Sequence, residues 1–264
     1  MSDVPQREIR GVVLAGGTAT RLAEATKIAN KHTLRVGPWP MIYYALLALQ
    51  QAGIRHIAIV SGSDHCQQLI QLLGSGNTPA RDGSPLFDLD LTYKIQDKPG
   101  GIAEAIGVVK DFAEGHRIVV FLGDNIIEGN IVDFVAAFRQ QARGARVALK
   151  TCTDPQAYGV AVFREDAEGA RIGYIEEKPQ EPKSSYAVTG IYCYDEHVFD
   201  HIERLAPSQR NELEVTDLNN IYASAGELQF NVLSGWWRDA GQSWQELDEI
   251  GSLIKETGAN KLTL

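Results

Sequence analysis

Cysteine is scarce in this chain, and long apolar runs are missing. The sequence has 3 cysteines among 264 residues (Cys66, Cys152 and Cys193), and no two of them form a Cys-x-x-Cys pair. This spacing excludes the usual cysteine-pair metal and redox motifs, and it indicates a reducing compartment. Since no stretch is apolar enough for a membrane span and the first residues carry no signal region, we expect a cytoplasmic protein without a membrane partner.

Positive charge is also in short supply. The chain has 25 lysines and arginines against 34 aspartates and glutamates, which gives a net charge of −9. A broad basic face for nucleic acid is therefore not expected, and an anionic ligand must be met by a few cations gathered in one place. A chain of this length with 44% hydrophobic residues can bury one large core, or a main domain with an added lobe.

Apolar, β-rich runs alternate with helical patterns in the first half of the chain. The strand-like runs are 11–14, 56–60, 89–95, 118–122 and 146–149. The helical patterns between them are 41–52, 66–73, 102–112 and 131–142. This alternation predicts βαβ units, and hence a Rossmann-like, mostly parallel central sheet with helices on both faces. Ligands of such sheets bind beyond the carboxyl ends of the strands.

The pattern changes after about residue 150. Short strand-like runs at 158–163, 171–176 and 186–194 are separated by turn residues, which predicts an added antiparallel lobe. Helical patterns return at 196–205, 214–225 and 243–256. We therefore predict an α/β fold in which residues 1–264 form one domain, with a first half at about 8–150 and a second half at about 151–257.

A glycine loop with two following cations comes directly after the first predicted strand. Small residues let backbone N–H groups approach phosphate oxygens, and cations near such a turn suit a polyphosphate. The loop lacks both the Gly-Lys-Ser/Thr ending of a P-loop and the Gly-x-Gly-x-x-Gly fingerprint, so an NAD or FAD oxidoreductase is a distant alternative. An ordinary strand-to-helix turn is the structural alternative. The residues of this candidate site are Leu14, Ala15, Gly16, Gly17, Thr20, Arg21 and Lys31.

Carboxylates follow two further apolar runs. Asp124 comes just after the run 118–122, where it is well placed to hold Mg²⁺ together with substrate phosphates. Strand alternation puts Asp239 on the same face as Trp237, which makes it a second candidate. A turn aspartate that bonds its own backbone is the alternative at each position. Glu177 and Lys178 form a compact charged pair suited to sugar hydroxyls and a phosphate monoester, or else a solvated loop.

Taken in order, these segments resemble the sugar-1-phosphate nucleotidylyltransferases, most closely those that act as glucose-1-phosphate thymidylyltransferases. The resemblance runs from about residue 8 to residue 256. The motifs that carry it are Leu14-Ala15-Gly16-Gly17 with Thr20-Arg21-Leu22, Lys31, Pro40-Met41-Ile42-Tyr43-Tyr44, Leu122-Gly123-Asp124-Asn125, Glu176-Glu177-Lys178-Pro179, Tyr186-Ala187-Val188-Thr189-Gly190, Leu213-Glu214-Val215-Thr216-Asp217 and Trp237-Arg238-Asp239-Ala240-Gly241.

The resemblance implies nucleotidyl transfer from a nucleoside triphosphate, dTTP favoured, to a sugar 1-phosphate, glucose 1-phosphate favoured, with Mg²⁺ as cofactor and pyrophosphate as second product. It also implies a homo-oligomer, either a dimer or a tetramer. The implied catalytic residues are Arg21, Lys31 and Lys178, and the implied metal ligands are Asp124 and Asp239. The implied nucleotide-binding residues are Leu14, Ala15, Gly16, Gly17, Thr20, Gln96 and Gly101. The implied sugar-binding residues are Asn125, Tyr158, Gly159, Glu177, Val188 and Tyr192.

Two departures from the family pattern fall in the nucleotide half. Ala19 stands where the family has glycine, and His32 replaces a glutamine that lines the nucleotide site in relatives. We expect His32 to change the nucleotide preference or the affinity. Two alternatives stay open: a transferase that uses UTP or CTP with another sugar phosphate, a non-sugar phosphate or a phosphonate, and a catalytically silent regulatory protein that binds nucleotide sugars.

Overall fold

Strands and helices alternate through most of the chain in a computed structural model that describes residues 8–16, 29–79, 86–166, 169–241 and 243–261. The strands are β1 (Ile9–Leu14), β2 (Arg35–Val36), β3 (Trp39–Pro40), β4 (His56–Gly62), β5 (Asp90–Gln96), β6 (Arg117–Leu122), β7 (Asn125–Ile127), β8 (Ala145–Thr151), β9 (Gly159–Asp166), β10 (Gly169–Glu177), β11 (Tyr186–Tyr194), β12 (Leu228–Val232) and β13 (Trp237–Asp239). The helices are α1 (Met41–Gln51), α2 (Cys66–Leu73), α3 (Ile102–Gly107), α4 (Lys110–Ala113), α5 (Val132–Gln140), α6 (Val198–Ile202), α7 (Val215–Ser224) and α8 (Trp244–Thr257).

One nine-stranded sheet runs through both halves of the chain. Its parallel part has the order β6-β1-β4-β5. Strand β11 runs antiparallel beside β6 and also pairs with β8 and β9, while β10 pairs with β9. The predicted fold class is confirmed, since a parallel sheet flanked by helices continues into antiparallel strands.

The central strands are apolar on both faces because helices cover both. On one face, Val13 and Phe121 pack in a core that includes residues of α1 and α5. On the other face, Val12 and Val120 pack with residues of α3, α6 and α7. Strands buried on both sides are typically near-continuous apolar runs, such as 11–14 in β1 and 118–122 in β6. This burial holds the carboxyl ends of the strands in fixed positions.

Three details differ from the sequence-based expectation. The helix predicted at 102–112 is divided into α3 and α4, since Gly107 and the β-branched pair Val108 and Val109 weaken the helix at this point. Strand β8 pairs with β11 and β12 and therefore lies outside the parallel row. Strand β12 was not predicted, although Leu228–Val232 alternates apolar and polar residues.

Two small antiparallel pairs lie beside the main sheet. Strand β2 pairs with β3, and Tyr44 on α1 donates a hydrogen bond of 2.6 Å from its hydroxyl to the carbonyl of Val36 in β2. Strand β7, which follows β6 in the chain, pairs with β13. This pairing brings a segment from the second half of the chain close to the end of β6. Among the described residues, every helix is too short or too polar to cross a lipid bilayer.

Candidate active site

A cavity of about 1070 Å³ opens beyond the carboxyl ends of β1, β4, β5 and β6. It exceeds the size of a typical site for one small ligand, about 300–1,000 Å³, so it has room for two substrates. Residues from both halves of the chain line it, because the end of β10 faces the parallel strands. The predicted site residues in its wall are Leu14, Gly16, Lys31, Gln96, Gly101, Asp124, Glu177 and Lys178.

Part of the predicted glycine loop lies outside the described residues, namely Gly17, Ala19, Thr20 and Arg21. The described part is anchored by Ala15, whose N–H donates to the carbonyl of Val60 over 2.7 Å. A β-carbon on Gly16 would lie 3.5 Å from Gln96 Oε1 and 3.8 Å from the backbone nitrogen of Gly62. Gly16 therefore brings the backbone close to the ends of two neighbouring strands.

Asn30 connects this loop to the 3₁₀ turn Lys31–Thr33. Its buried side chain donates from Nδ2 to the carbonyl of Ala15 over 2.9 Å. Its Oδ1 accepts from His32 N over 2.9 Å and from His32 Nδ1 over 2.7 Å. Because an amide oxygen can only accept, the imidazole proton of His32 is on Nδ1. The turn that carries Lys31 is thus fixed to the end of β1.

The His32 ring is buried and neutral at neutral pH. Burial and the charge of Lys31 lower the pKa of His32 from 6.5 to about 3, against an opposing effect of Asp124. The ring also lies against Gly123, where an added β-carbon would be 2.8 Å from His32 Cδ2. His32 therefore presents an uncharged wall between the glycine loop and Asp124.

Lys31 and Asp124 form an ion pair in the wall of the cavity. Lys31 Nζ lies 2.5 Å from Asp124 Oδ2, and both side chains are largely shielded from water. Burial raises the pKa of Asp124, but the positive charge of Lys31 and the hydrogen bonds from Lys31 and Asn125 together hold that pKa below its usual value. Both groups are therefore charged, and the pair is ready to exchange partners with phosphates or a cation.

Asp239 lies close to Asp124 because β13 pairs with β7. In that ladder Asp239 is opposite Asn125, and the N–H of Ala240 donates to the Asp124 carbonyl over 2.7 Å. The charge of Asp239 adds to burial in raising the pKa of Tyr158 to about 12, so this carboxylate is also near that ring. The second predicted metal ligand is thus beside the first.

The donor set fits Mg²⁺ better than a metal held by protein ligands alone. No cluster of three or more histidine, cysteine, aspartate or glutamate side chains suited to a metal occurs in the described part of the chain. Mg²⁺ is commonly bound by one or two carboxylates together with substrate phosphates. Asp124 in the cavity wall and Asp239 beside it match this pattern, and the cavity is large enough for phosphates.

Asn125 joins three elements behind the cavity. Its Oδ1 accepts from the N–H of Gly190 on β11 over 3.0 Å and from Trp237 Nε1 on β13 over 2.6 Å. Its Nδ2 donates to Asp124 Oδ1 over 3.0 Å. The side chain is buried and outside the cavity wall, so the structure gives this predicted sugar contact a supporting position beneath Asp124.

Glu177 and Lys178 form the opposite side of the cavity. Thr216 Oγ1 donates to Glu177 Oε2 over 2.5 Å, and a β-carbon on Gly159 would lie 3.4 Å from the same oxygen. Lys178 has a positive φ of 44°, and its N–H donates to the carbonyl of Tyr158 over 3.0 Å. Its ammonium is half exposed and 3.8 Å from Glu177 Oε1. A carboxylate acceptor and a cation therefore stand side by side.

Three other residues of the predicted sugar site lie behind this wall. Tyr158 packs edge-on against Trp237 with ring centroids 4.9 Å apart. Val188 is partly buried and packs against the core on one face of the sheet. Tyr192 is buried, and burial together with the charges of Glu177, Asp124 and Asp239 raises its pKa. The hydroxyl of Tyr192 is therefore near the three carboxylates, although the residue is not part of the cavity wall.

Sequence reasoning missed several polar residues of the cavity. Arg210 lies three residues before a motif that carries the resemblance, so a wider view of that segment would have found it. Arg210 Nη2 donates to both carboxylate oxygens of Glu214, over 3.0 and 2.9 Å. The turn after β4 gave no recognisable signal, although residues of this turn and of α2 line the cavity. The missed residues are Asp64, His65, Gln68, Arg210, Glu212 and Glu214.

Several known proteins similar to this chain are named as nucleotidyltransferases or thymidylyltransferases. The sequence profile of the family described as Nucleotidyl transferase matches residues 10–256. A glucose-1-phosphate thymidylyltransferase of Xanthomonas campestris pv. campestris is 41% identical over 250 residues, which are 93% of this chain and 80% of that protein. The low-salt glycan biosynthesis nucleotidyltransferase Agl11 of Haloferax volcanii is 34% identical over 249 residues, and the match spans 94% of this chain and 66% of that protein.

Solved structures agree with the sequence comparison. A crystal structure of a Bacillus anthracis protein assigned as a glucose-1-phosphate thymidylyltransferase has a TM-score of 0.84 and 46% identity, covering 94% of this chain and 96% of that one. A UDP-glucose pyrophosphorylase in complex with UDP-glucose has a TM-score of 0.82 at 22% identity, which shows a shared fold alone.

The protein belongs to the nucleotidyl transferase family and is a nucleotidyltransferase. The resemblance to the sugar-1-phosphate nucleotidylyltransferases, expected from eight ordered motifs, is thereby confirmed.

Proposed function

We propose that this protein transfers a nucleotidyl group from dTTP to glucose 1-phosphate, with Mg²⁺, and releases pyrophosphate. The observation that carries the proposal is that the Lys31–Asp124 ion pair lines the same cavity as Glu177 and Lys178. A cation and a carboxylate on each side suit a triphosphate with its metal on one side and a phosphorylated sugar on the other.

The chemistry needs little proton transfer. A phosphate monoester such as a sugar 1-phosphate has a second pKa of about 6, so its oxygen is largely deprotonated at neutral pH and is already a nucleophile. His32 is neutral, holds its proton in a bond to Asn30 and is not required as a general base. The cavity therefore has to position the two substrates and screen their charges.

Charge screening is the larger task. Two like unit charges at about 4 Å repel by about 4 kcal/mol at an effective dielectric constant of about 20, and both substrates carry several charges. Lys31 would contact the nucleotide phosphates, Lys178 the sugar phosphate, and Arg21, outside the described residues, the leaving pyrophosphate. These cations would offset the repulsion and align the attacking oxygen with the α-phosphorus.

Asp124 and Asp239 would hold Mg²⁺, which neutralises phosphate charge when it is bound. The Lys31 contact keeps Asp124 ionised, as a metal ligand must be. Glu177, positioned by Thr216, would accept hydrogen bonds from sugar hydroxyls. We also propose that the enzyme works in the reducing cytoplasm, where the free thiols of its cysteines persist.

A pyrophosphate-release assay tests the proposal. Several nucleoside triphosphates are combined with a panel of sugar 1-phosphates, with and without Mg²⁺. Asp124→Asn should lower kcat by about 10²-fold or more, the effect of losing one group that stabilises the transition state. Asp88→Asn, in an exposed pair with Arg55, is the matched control and should keep wild-type turnover.

The same assay separates the alternatives. Turnover with CTP or UTP but not with dTTP would replace the donor assignment, and turnover with non-sugar phosphates or phosphonates alone would replace the acceptor. Folded protein that binds nucleotide sugars without turnover would instead support the silent regulatory protein.

A further inference from the structure

The side-chain amide of Gln96 has a fixed direction. Gln96 ends β5 and lines the cavity, and one end of its amide contacts two oxygens, the carbonyl of Gly101 at 3.3 Å and Oε2 of Glu104. A carbonyl and a carboxylate are acceptors, so the amide group that faces both must be the NH₂. The Gln96 oxygen is thereby turned the other way, toward Gly16, 3.5 Å from the place of a β-carbon on that residue.

We propose that Glu104 is a positioning residue that makes the site select a uracil-type or thymine-type base and reject cytosine. The inference rests on the proposed function, since it assigns the base end of the same nucleotide site. With its NH₂ bound to Glu104, Gln96 offers the cavity an acceptor and no donor. None of the described residues donates a hydrogen bond to that oxygen.

The hydrogen-bonding group at ring position N3 determines which pyrimidine bases can bind to the Gln96 acceptor. Uracil and thymine carry an N–H at ring position N3, which donates to an acceptor. Cytosine has a lone pair at N3 and would place two acceptors face to face, so it must shift along its edge to offer the amino group instead. Sites that hydrogen-bond a polar group discriminate strongly against analogues that leave a partner unpaired.

The backbone around Glu104 is locked in place by the segment that carries Leu213. The N–H of Leu213 donates to the carbonyl of Gly100 over 2.7 Å, and the N–H of Ala103 donates to the carbonyl of Leu213 over 3.1 Å. Gly101 has a φ of 95°, and a β-carbon there would lie 2.5 Å from the Leu213 carbonyl oxygen. The Glu104 side chain packs on Gly100, where a β-carbon would meet its Cγ at 3.0 Å. Glu104 thus has a defined place from which to orient Gln96.

Calorimetric binding of UDP and CDP in the presence of Mg²⁺ tests the inference, because these two nucleotides differ only in the base. Wild-type protein should bind UDP at least about tenfold more tightly than CDP, the factor that one oriented hydrogen bond supplies. Glu104→Gln keeps the size of the side chain but can present either a donor or an acceptor to Gln96. This variant should reduce the UDP-to-CDP ratio by about tenfold, mainly through weaker binding of UDP.

The matched control is Asp111→Asn, an acid-to-amide change on the next helix in an exposed pair with Lys94, 2.6 Å apart. It should keep the wild-type ratio. Glu104→Ala is a second variant with the same expectation as Glu104→Gln, should the amide variant fail to fold. A merely structural role for Glu104 would weaken UDP and CDP binding equally, and that result would overturn the inference.

Two other results would also overturn it: wild-type protein that binds CDP as tightly as UDP, and a ratio that survives in both Glu104 variants. Pyrophosphate release by the same preparations keeps the two proposals apart. Turnover with an unchanged ratio in the variants refutes the role of Glu104 alone. Base-selective binding that depends on Glu104, without turnover on any acceptor, supports that role and refutes the proposed reaction.

Discussion

The buried imidazole of His32 makes stability depend on pH in a way that one substitution should remove. His32 is 1% exposed, and burial together with the charge of Lys31 lowers its pKa from 6.5 to about 3. The unfolded chain therefore takes up a proton here below its ordinary pKa of 6.5, whereas the folded protein does so only near pH 3. Because the unfolded state binds more protons in this window, stability is lost as the pH falls through it.

The magnitude follows from the two pKa values. One pKa unit corresponds to about 1.36 kcal/mol, and about pH 5 lies roughly 1.5 units below the unfolded pKa, so the loss from about pH 7.5 to about pH 5 is about 2 kcal/mol. This loss hardly depends on the pKa of His32 in the folded protein, because about pH 5 is well above that pKa of about 3. Urea unfolding of wild-type protein and His32→Gln at both pH values measures the difference.

The wild type should lose about 2 kcal/mol more than His32→Gln over this interval. Carboxylates contribute equally to both proteins and cancel in the comparison. His197→Gln is the matched control, because this side chain is 64% exposed and the substitution leaves the buried site intact. Equal losses in wild-type protein and His32→Gln would refute the reasoning, because the imidazole would then be protonated alike in both states.

Three further predictions concern the cavity and its support. Asp239→Asn should lower kcat by about 10²-fold with unfolding unchanged, measured by pyrophosphate release, and wild-type turnover would remove this residue from the metal site. Gly101→Ala should destabilise the protein far more than Gly115→Ala in thermal unfolding. Both glycines have a positive φ, which costs a larger residue about 1 kcal/mol, but only at Gly101, of these two, would the added β-carbon also lie 2.5 Å from a carbonyl oxygen. Trp237→Phe removes the donor to Asn125 Oδ1 and should cost about 1–2 kcal/mol by urea unfolding, whereas an unchanged midpoint would mean that this bond adds no net stability.

The parallel half of the fold was predictable because its physics is local and repetitive. Strands β1, β4 and β6 are short apolar runs separated by helices of the usual length, and this pattern indicates a parallel sheet. The position of β8 was not predictable in the same way. Its sequence looks like that of a buried parallel strand, and only long-range pairing with β11 places it among the antiparallel strands.

The candidate site was predictable where a residue follows a strand end. Gly16, Gln96 and Asp124 all follow or end parallel strands, and such ends meet at one edge of a sheet. The sequence could not indicate how deeply a side chain is buried. Tyr192 and Val188 both lie on β11, but Tyr192 is buried in the core, Val188 is partly buried against it, and neither is in the cavity wall. The Glu104–Gln96 contact depends on a turn geometry that no sequence pattern specifies.

Strand β11 also has a consequence for how the protein is synthesised. It pairs with β6 although the two strands are far apart in the sequence. More than half of the residues between them belong to other strands and a helix. The chain is synthesised from its amino end, so one edge of β6 has unpaired backbone groups until β11 has emerged. Apolar residues such as Val119 and Phe121 lie on this strand. Unpaired apolar edges invite pairing with other chains. Nascent chains that stall between these strands therefore expose a strand edge that is open to pairing with other chains.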